Sequence, residues 1–313
     1  MGFLQVHTPE WVRRFARLGY PDAEPLAAGV EGAIYRLGDG TVAKVWSGRR
    51  RGLELMRGYY ADVADAGLPF KTPVFLRVER IDGVVVTFEP ELHGQPLQNR
   101  VTLRDRELDP AAIDCMLLVL RSLAGVRATD AMRRLPLLDE DRPFWDGADD
   151  FVAALVALLE RRVVRFGGVL RTHIPDFGER YTRLRSGLRG LDRVPPTAIH
   201  GDLFGENVLV DDYARPLSVL DFGFLSTAGD PRFDAAVSAS IMNMYGDHAI
   251  AITDALTKRF AAELAYPMQA LVHYQAAYAI ATANVFTVDG SDGHFRWAVQ
   301  QLTRPMMSTF LGL

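Results

Sequence analysis

The stretch IHGDLFGENVLVDD, residues 199–212, places His200, Asp202 and Asn207 directly before a run that alternates like a β-strand. Asp and Asn both favour loops, so by themselves these side chains are equally well explained as turn formers. A second stretch, LSVLDFGF (217–224), changes that interpretation because its aspartate follows Asn207 by fourteen positions. The fold and the chemistry are inferred from these two stretches together.

Two short β-rich runs of equal length lie in these stretches. NVLV (207–210) and LSVL (217–220) are joined by the turn-rich link DDYARP. Pairing them as a hairpin brings Asn207, at the start of one strand, beside Asp221, at the end of the other. Mg²⁺ typically binds one or two protein oxygen ligands together with water and substrate phosphates. We therefore predict that Asn207 and Asp221 bind Mg²⁺.

Asp202 lies five positions before Asn207, in the loop that enters the predicted hairpin. From there it reaches the same region without having to be a metal ligand. A carboxylate beside a metal–phosphate cluster can orient a hydroxyl group and accept its proton. Asp202 is therefore the predicted catalytic residue.

The composition is that of a folded protein without general affinity for nucleic acid. The chain has 313 residues, 49% apolar and 24% charged, which is enough for two domains or for one domain with two lobes. Its 35 Lys and Arg against 39 Asp and Glu give a net charge of −4, whereas a general nucleic-acid binder usually has a strongly basic surface. The basic cluster GRRRG (48–52) is accordingly interpreted as a solvated turn.

Cysteine content and hydropathy bear on the location of the protein. Cys115 is the only cysteine, so no intrachain disulfide can form, and its apolar helical surroundings predict a buried, inert thiol. No run approaches the roughly twenty apolar residues that a membrane span requires. We expect a cytoplasmic protein without a membrane partner.

The chain changes character near residue 92. Before it, AIYRL (33–37) and TVAKVW (41–46) are separated by GDG, a strong hairpin signal, and two further β-rich runs follow a helix that begins near Leu53. After it, helical patterns dominate. We predict an α+β fold in which residues 1–92 form a lobe of antiparallel sheet with one helix and residues 93–313 a mainly helical lobe. Ligand sites favour such junctions.

HGDLFGEN followed by LDFG resembles the catalytic and metal motifs of the aminoglycoside phosphotransferase and choline kinase-like family of small-molecule kinases. Protein kinases carry H-R-D-L-x-x-x-N and D-F-G at these places. Gly201 stands where they have arginine, as it does in the small-molecule kinases. The resemblance covers nearly the whole chain and implies a protein-kinase-like bilobal fold. The first lobe would bind ATP or GTP, and the second would hold the catalytic loop and the acceptor site.

The resemblance also assigns residues of the first lobe to the nucleotide. VAKVW matches the strand with the phosphate-binding lysine, here Lys44, and ELMRGYYADV resembles the following helix with its pairing glutamate, here Glu54. The competing interpretations are an exposed lysine on an edge strand and a solvated helix residue. Gly29 and Gly32, in AAGVEGA, are assigned to covering the phosphates by position only, because a lone G-x-x-G is common in turns.

TFEPELHGQPL resembles the hinge between the two lobes. Backbone groups between Glu89 and Leu92 are therefore predicted to bind the purine. Pro90 has no N–H, so Glu91 is the expected donor. ATP and GTP are not distinguished.

Three further polar residues are assigned to structure. The resemblance implies that His200 holds the catalytic loop by hydrogen bonding. Asp230 precedes Pro231, as expected for an N-cap followed by proline at the first helical position. Asp234 is interpreted as an internal tie. The remaining histidines lack metal-ligand spacing, so zinc is not expected.

The motifs indicate a small substrate and an active enzyme. No A-P-E motif follows D-F-G, which favours a small molecule over a protein as acceptor. A non-catalytic pseudokinase would be expected to lack one of four residues, and all four are present: Lys44, Asp202, Asn207 and Asp221.

The identity of the acceptor stays open. One alternative is an aminoglycoside or other hydroxylated antibiotic, and the other is a nucleoside antibiotic, macrolide, sugar, choline or homoserine-like metabolite. The acidic stretch DEDRPFWDGADD (139–150) would suit a polycationic acceptor as part of its wall, or it is a solvated loop and helix start. The aromatic residues that follow Phe224 would suit stacking on sugars or bases, although most are expected in the core.

Overall fold

The computed structural model describes residues 9–29, 31–47, 52–100, 108–222 and 225–313. The basic cluster predicted to be a solvated turn lies outside these residues except for Gly52. Gly223 and Phe224 of the DFGF stretch also lie outside them.

The N-terminal part is one antiparallel sheet with a helix against it. Helix α1 comes first, followed by strands that lie in the order β1-β2-β3-β5-β4, with every neighbouring pair antiparallel. The elements are α1 (Pro9–Arg17), β1 (Glu24–Gly29), β2 (Gly32–Arg36), β3 (Thr41–Trp46), α2 (Leu53–Ala64), β4 (Arg77–Ile81) and β5 (Val84–Pro90).

Local sequence explains why this sheet forms. The GDG predicted as a turn joins β2 to β3, and Gly38 and Gly40 both have positive φ there, of +86° and +83°. Glycine adopts such angles at little cost. The inner face of the sheet buries Tyr35 and Phe88 against Phe15 of α1, with the Phe15 and Tyr35 ring centroids 5.3 Å apart.

Helix α2 connects the sheet to the rest of the molecule. Its buried residues belong to the large hydrophobic cluster of the C-terminal part, and not to the small cluster under the sheet. The Tyr59 hydroxyl donates a hydrogen bond of 2.8 Å to the carbonyl of Ile199, directly before the HGD sequence. The lobe boundary at residue 92 stays a prediction.

The C-terminal part is mainly helical, as predicted. After the short strand β6 (Gln95–Pro96) and the 3₁₀ turn Leu97–Arg100, its helices are α3 (Pro110–Ala124), α4 (Asp130–Arg133), α5 (Phe151–His173), α6 (Phe177–Arg189), α7 (Pro231–Ile241), α8 (Ala249–Leu264), α9 (Met268–Thr282), α10 (Gly293–Thr303) and α11 (Pro305–Leu311). Helix α9 lies at the centre, and every residue from Ala270 to Thr282 is buried.

Helix α5 is the longest helix in the described part of the chain and ends at His173. Asp150 caps its start by accepting a hydrogen bond of 2.8 Å from the backbone N–H of Ala153. Gly167 and Gly168 do not end it, because the buried face continues through Phe166 and Leu170. Packing of that face outweighs the weak helix propensity of glycine.

Two small sheets position the predicted catalytic stretch. Strand β7 (Thr197–Ile199) pairs with β10 (Thr227–Gly229), and β8 (Val208–Val210) lies between β6 and β9 (Pro216–Val219). The predicted hairpin is formed by β8 and β9, with Val208 opposite Val219 and a bulge after Leu209.

Asp234, on helix α7, ties the start of the catalytic stretch to the helical core. Its carboxylate oxygens accept hydrogen bonds of 2.8 Å from the backbone N–H groups of His200 and Gly201. The side chain is buried, and burial raises its pKa to about 7 although both N–H donors act against the rise. Asp230 caps the same helix by accepting from the N–H of Arg232.

We predict that Asp234→Asn lowers the free energy of unfolding by about 1–3 kcal/mol, because an amide offers one acceptor oxygen to two buried N–H donors. Urea unfolding of the two proteins measures the difference. Asp130→Asn is the matched control, since the Asp130 side chain is 95% exposed. Equal losses in both variants would contradict the structural role of Asp234.

Candidate active site

The loop between β7 and β8 turns sharply at Gly201. Its φ is +76°, in the left-handed region, and a Cβ atom there would lie 2.6 Å from the backbone carbonyl of Leu225. No larger residue fits without moving that backbone. The glycine that replaces the arginine of protein kinases is therefore a steric requirement of this loop.

His200 links the loop to the end of the hairpin. Its Nδ1 accepts a hydrogen bond of 3.2 Å from the N–H of Asp202, so Nε2 carries the proton and donates to the carbonyl of Leu220 at 2.8 Å. Burial lowers the pKa of His200 to about 4, which keeps the ring neutral. A ring with both nitrogens occupied by backbone groups holds the loop and has no free nitrogen for proton transfer.

Asn207 and Asp221 meet at the open end of the hairpin. The Leu220 N–H donates to the carbonyl of Asn207 at 2.8 Å, which brings Asp221 next to that residue. The Asn207 amide donates from Nδ2 to the carbonyl of Asp202 at 2.8 Å, so its oxygen points the other way. Asp221 has a φ of +50°, in the left-handed region that non-glycine residues seldom adopt.

Lys44 reaches across from β3 to this end of the hairpin. Its ammonium group lies 3.0 Å from Asp221 Oδ1 and 2.9 Å from Glu31 Oε2, and 4.2 Å from the centre of the Trp46 ring. Burial alone would lower the pKa of Lys44, but the two carboxylates outweigh it and raise that pKa. Lys44 is therefore a charged residue that faces the cleft, and not a lysine exposed on an edge strand.

The pairing predicted between Lys44 and Glu54 is wrong in this structure. Glu54 is exposed on α2, whose buried face is formed by Leu53, Met56 and the residues one and two turns further on. Glu31, at the turn between β1 and β2, supplies the carboxylate instead. Helix register explains the difference, because the only glutamate of α2 follows its first buried position and points to solvent.

The turn between β1 and β2 contributes both predicted glycines to the cleft. Gly29 pairs with Gly32 across the turn. Gly32 has a φ of +154°, and a Cβ atom there would lie 2.0 Å from the carbonyl oxygen of Val45, so only glycine fits. A Cβ atom at Gly29 would contact nothing within 4 Å. Close packing against β3 therefore accounts for one of the two glycines.

The predicted purine donor is already occupied. The Glu91 N–H donates to the carbonyl of Gly40 at 2.9 Å, and its carboxylate pairs with Arg36 at 2.7 Å. Both contacts tie the hinge to the β2–β3 turn. Glu89 accepts from the Thr87 hydroxyl at 2.8 Å, and burial raises its pKa. The assignment of the Glu91 N–H to the purine is therefore wrong for this conformation.

A cavity of about 640 Å³ gathers most of the predicted nucleotide and metal residues. They line it from three elements: the β1–β2 turn, strand β3 and the end of the catalytic hairpin. These residues are Gly29, Gly32, Lys44, Asn207 and Asp221, and Asp202 joins them. Glu54, Glu89 and Glu91 are not part of this lining.

Asp202 also lines a second cavity of about 360 Å³. The half-buried carboxylate thus borders both cavities, as do Glu206 and Phe286. Burial, and then the charges of Asp221 and Glu31, raise the pKa of Asp202 to about 7. A carboxylate with a pKa near neutrality is a good proton acceptor.

Most of the lining of the smaller cavity was not assigned to a site from the sequence. It consists of Gln98, Phe204, Glu206, residues 241–246, Tyr278, Phe286 and His294 besides Asp202. The aromatic content after Phe224 was the available signal, but periodicity does not tell a cavity residue from a core residue.

The acidic stretch 139–150 contributes nothing to that smaller lining. Its carboxylates serve local contacts: Asp139 pairs with Arg162 and Arg165, and Glu140 pairs with Arg161 at 2.6 Å. Asp139 does line the larger cavity. Asp139 thus borders a cavity that Asp202 also lines, and the acceptor wall stays a prediction.

The donor set of the larger cavity fits Mg²⁺. The described part of the chain contains no group of three or more His, Cys, Asp or Glu side chains that could hold a metal. Asn207 and Asp221 instead offer two oxygen ligands beside an open space. Mg²⁺ takes few protein ligands and completes its shell with water and phosphate oxygens.

Two other predictions concern the rest of the chain. Cys115 is buried in α3, and burial raises its pKa to about 12, so its thiol is inert as predicted. Within the described ranges, no helix has the length and apolar character needed to cross a membrane.

The architecture recurs in solved structures of antibiotic phosphotransferases. The macrolide 2′-phosphotransferase MphH of Brachybacterium faecium is 17% identical, with 95% of this chain and 99% of that chain covered and a TM-score of 0.58. The APH(2″)-IIa complex with streptomycin and ATP is 14% identical, with 97% and 98% covered and a TM-score of 0.60.

A third structure, the aminoglycoside phosphotransferase APH(3″)-Id of Streptomyces rimosus with ADP and streptomycin, is 17% identical, with 87% and 98% covered and a TM-score of 0.50. The coverage and the TM-scores show a shared fold, and the predicted protein-kinase-like α+β architecture is confirmed. The comparison with curated proteins found no match.

The sequence profile of the phosphotransferase enzyme family (APH) matches residues 22–271, which span the sheet, the catalytic loop and the hairpin. That match covers well over half of the chain. The HGD loop, the hairpin with Asn207 and Asp221, and the cleft-facing Lys44 all lie within it. The chain therefore belongs to the phosphotransferase enzyme family.

Proposed function

We propose that this chain is an ATP- or GTP-dependent O-phosphotransferase that moves the γ-phosphate to a hydroxyl group of a small molecule. The observation that carries the proposal is that Asp202 lines both cavities. One cavity holds a lysine and two oxygen ligands suited to a metal–nucleotide complex. The other has room for a hydroxylated acceptor. Phosphoryl transfer requires such a junction, because donor and acceptor must meet in line.

The larger cavity is proposed as the nucleotide site. Lys44 would bind phosphate oxygens, and Asn207 and Asp221 would hold Mg²⁺, which supplies charge neutralisation for the phosphates when bound. Gly29 and Gly32 would let the β1–β2 turn approach the phosphates closely. The purine is proposed to bind backbone groups of the hinge 89–92 other than the Glu91 N–H.

Asp202 is proposed to orient the acceptor hydroxyl and to take its proton. His200 and Asp234 hold the loop in place by contacts to its backbone. The carboxylate is thereby directed by the fold before either substrate arrives. Preorganised positioning of this kind is the main contribution that a protein makes to phosphoryl transfer.

For the acceptor we propose a hydroxylated antibiotic. The similar solved structures are phosphotransferases of macrolides and aminoglycosides, which supports an antibiotic without choosing among them. A nucleoside antibiotic, sugar, choline or homoserine-like metabolite is the alternative. A cytoplasmic location is proposed, because nucleoside triphosphates are available there.

The experiment that tests the function is a screen for ADP or GDP release across these classes of acceptor. Mass spectrometry of the product would identify the added phosphate. Product formation with any hydroxylated small molecule supports the proposal. Nucleotide binding without transfer to any acceptor would argue instead for a non-catalytic binding module.

Asp202→Asn should lower kcat by about 10²- to 10⁴-fold, because it keeps size and polarity while removing the proton acceptor. The Kd for the nucleotide should change little. Steady-state kinetics and a nucleotide titration measure the two quantities, with Asp130→Asn as the surface control. If the variant keeps more than about a tenth of the wild-type kcat and product release is not the slow step, Asp202 is not the base.

Asp221→Asn should abolish turnover and weaken binding of Mn²⁺, used as a probe for Mg²⁺, in the presence of nucleotide. A carboxylate is a stronger ligand for a hard cation than an amide. Chelation by EDTA should have the same effect on the wild-type protein while circular dichroism stays unchanged. Full activity of Asp221→Asn would remove the metal assignment.

Glu31→Gln should tighten nucleotide binding, because the phosphates and the Glu31 carboxylate compete for the ammonium group of Lys44. A partly exposed ion pair is worth up to about 1 kcal/mol, so the Kd should fall by up to about fivefold. Glu54→Gln is the matched control and should leave the Kd unchanged, since Glu54 is exposed on α2. The reverse pattern would restore Glu54 as the partner of Lys44.

A further inference from the structure

The smaller cavity contains a chain of hydrogen bonds whose direction can be derived. The Thr282 hydroxyl donates its proton to the carbonyl of Tyr278 at 2.8 Å. Toward His294 Nε2, at 3.0 Å, the same hydroxyl can therefore only accept. His294 must carry its proton on Nε2, which leaves Nδ1 as an acceptor.

Tyr245 completes the chain. Its hydroxyl oxygen lies 3.1 Å from His294 Nδ1, and because that nitrogen accepts, the tyrosine must donate. Burial lowers the pKa of His294 to about 4 against the opposing charge of Asp292, so the doubly protonated ring that would reverse this direction does not form near neutral pH. The Tyr245 hydroxyl therefore donates its proton to His294. Toward the cavity, its oxygen can only accept a hydrogen bond.

His294 also braces two exposed aromatic rings. The side chains of Tyr245 and Phe286 are 65% and 53% exposed, and both line the cavity. The His294 ring meets Phe286 edge to face at 5.4 Å and rests on the buried Trp297 at 5.1 Å. Large aromatic surfaces left exposed at the rim of a cavity are typical of a ligand site.

The charges of the cavity are few. Its acidic lining residues are Asp202 and the exposed Glu206, and the remaining lining is mainly apolar or aromatic. A polycation would need more carboxylates to replace its hydration. Asp202 and Tyr245 both line this cavity, so both would face a molecule bound there.

We propose that Tyr245, oriented by His294 and Thr282, is a specificity-determining residue that accepts a hydrogen bond from a hydroxyl or N–H group of a neutral or singly charged ring-containing acceptor. The apolar face of the ring rests on Tyr245 and Phe286, and another hydroxyl of the same molecule lies at Asp202. This inference rests on the proposed function, and it excludes polycationic aminoglycosides as the preferred acceptors.

The test measures binding without turnover. The full chain is titrated with uridine, methyl β-glucoside and erythromycin as weakly charged probes, and with streptomycin and gentamicin as polycationic probes. At least one weakly charged probe should bind more tightly than both polycations. Tyr245→Phe should raise the Kd for that probe about two- to tenfold, the effect of one lost hydrogen bond, while the Kd for the nucleotide stays unchanged.

Tyr213→Phe is the matched control, because Tyr213 is 78% exposed on the β8–β9 turn and lines neither cavity. It should leave every Kd unchanged. His294→Phe keeps a ring in place but removes both hydrogen bonds, and its effect on the probe should not add to that of Tyr245→Phe, because the two residues act through one chain. With an accepted probe, both variants should raise the acceptor KM and leave kcat nearly unchanged.

Three results would overturn the inference: tighter binding of a polycation than of every weakly charged probe, no binding of any weakly charged probe, or an unchanged Kd in Tyr245→Phe. Failure of the proposed function looks different. Probe binding that depends on Tyr245 but leads to no phosphate transfer would refute the kinase and leave this site intact. Phosphate transfer to a polycation that is unaffected by Tyr245→Phe would support the kinase and refute the role of Tyr245.

Discussion

The carboxylate of Asp234 accepts the backbone N–H groups of His200 and Gly201, and the rest of the site depends on this contact. It holds the two residues before Asp202 against the helical core, at the point where Gly201 reverses the chain. Because both N–H groups are buried, no water can replace the carboxylate without opening the loop. The direction of Asp202 therefore follows from a residue on a different element, 32 positions later in the sequence.

His200 connects the same loop to the end of the hairpin, where metal binding is proposed. With one ring nitrogen on the N–H of Asp202 and the other on the carbonyl of Leu220, it couples the loop to the residue before Asp221. The Asn207 side chain makes a second link, to the carbonyl of Asp202. The proposed base and the two proposed metal ligands thus form one hydrogen-bonded unit, which suits a reaction in which positioning supplies most of the rate.

The N-terminal side of the site depends on charge across the cleft. Lys44 pairs with Asp221 at the end of the hairpin and with Glu31 in the β1–β2 turn. Such a three-charge arrangement is stable only while the partners stay close, since each charge is partly withdrawn from water. A nucleotide would enter among these groups, so the turn that carries Glu31 belongs to the same electrostatic unit as the proposed metal ligands.

The sequence by itself determined the hairpin that carries Asn207 and Asp221 and the division into sheet and helices, because both depend on local spacing, turn residues and periodicity. A structural role was also expected for His200, from the resemblance of HGDLFGEN, and for Asp234, as an internal tie. Long-range contacts decided the rest. The register of α2 places Glu54 in solvent, and Glu31 pairs with Lys44 instead. The N–H of Glu91 is occupied by a hydrogen bond to the carbonyl of Gly40. The cavity beside Asp202 joins residues 98, 202, 245 and 294, which no local pattern connects. The cavity forms where elements distant in sequence pack together, and the spacing of residues along the chain does not reveal such packing.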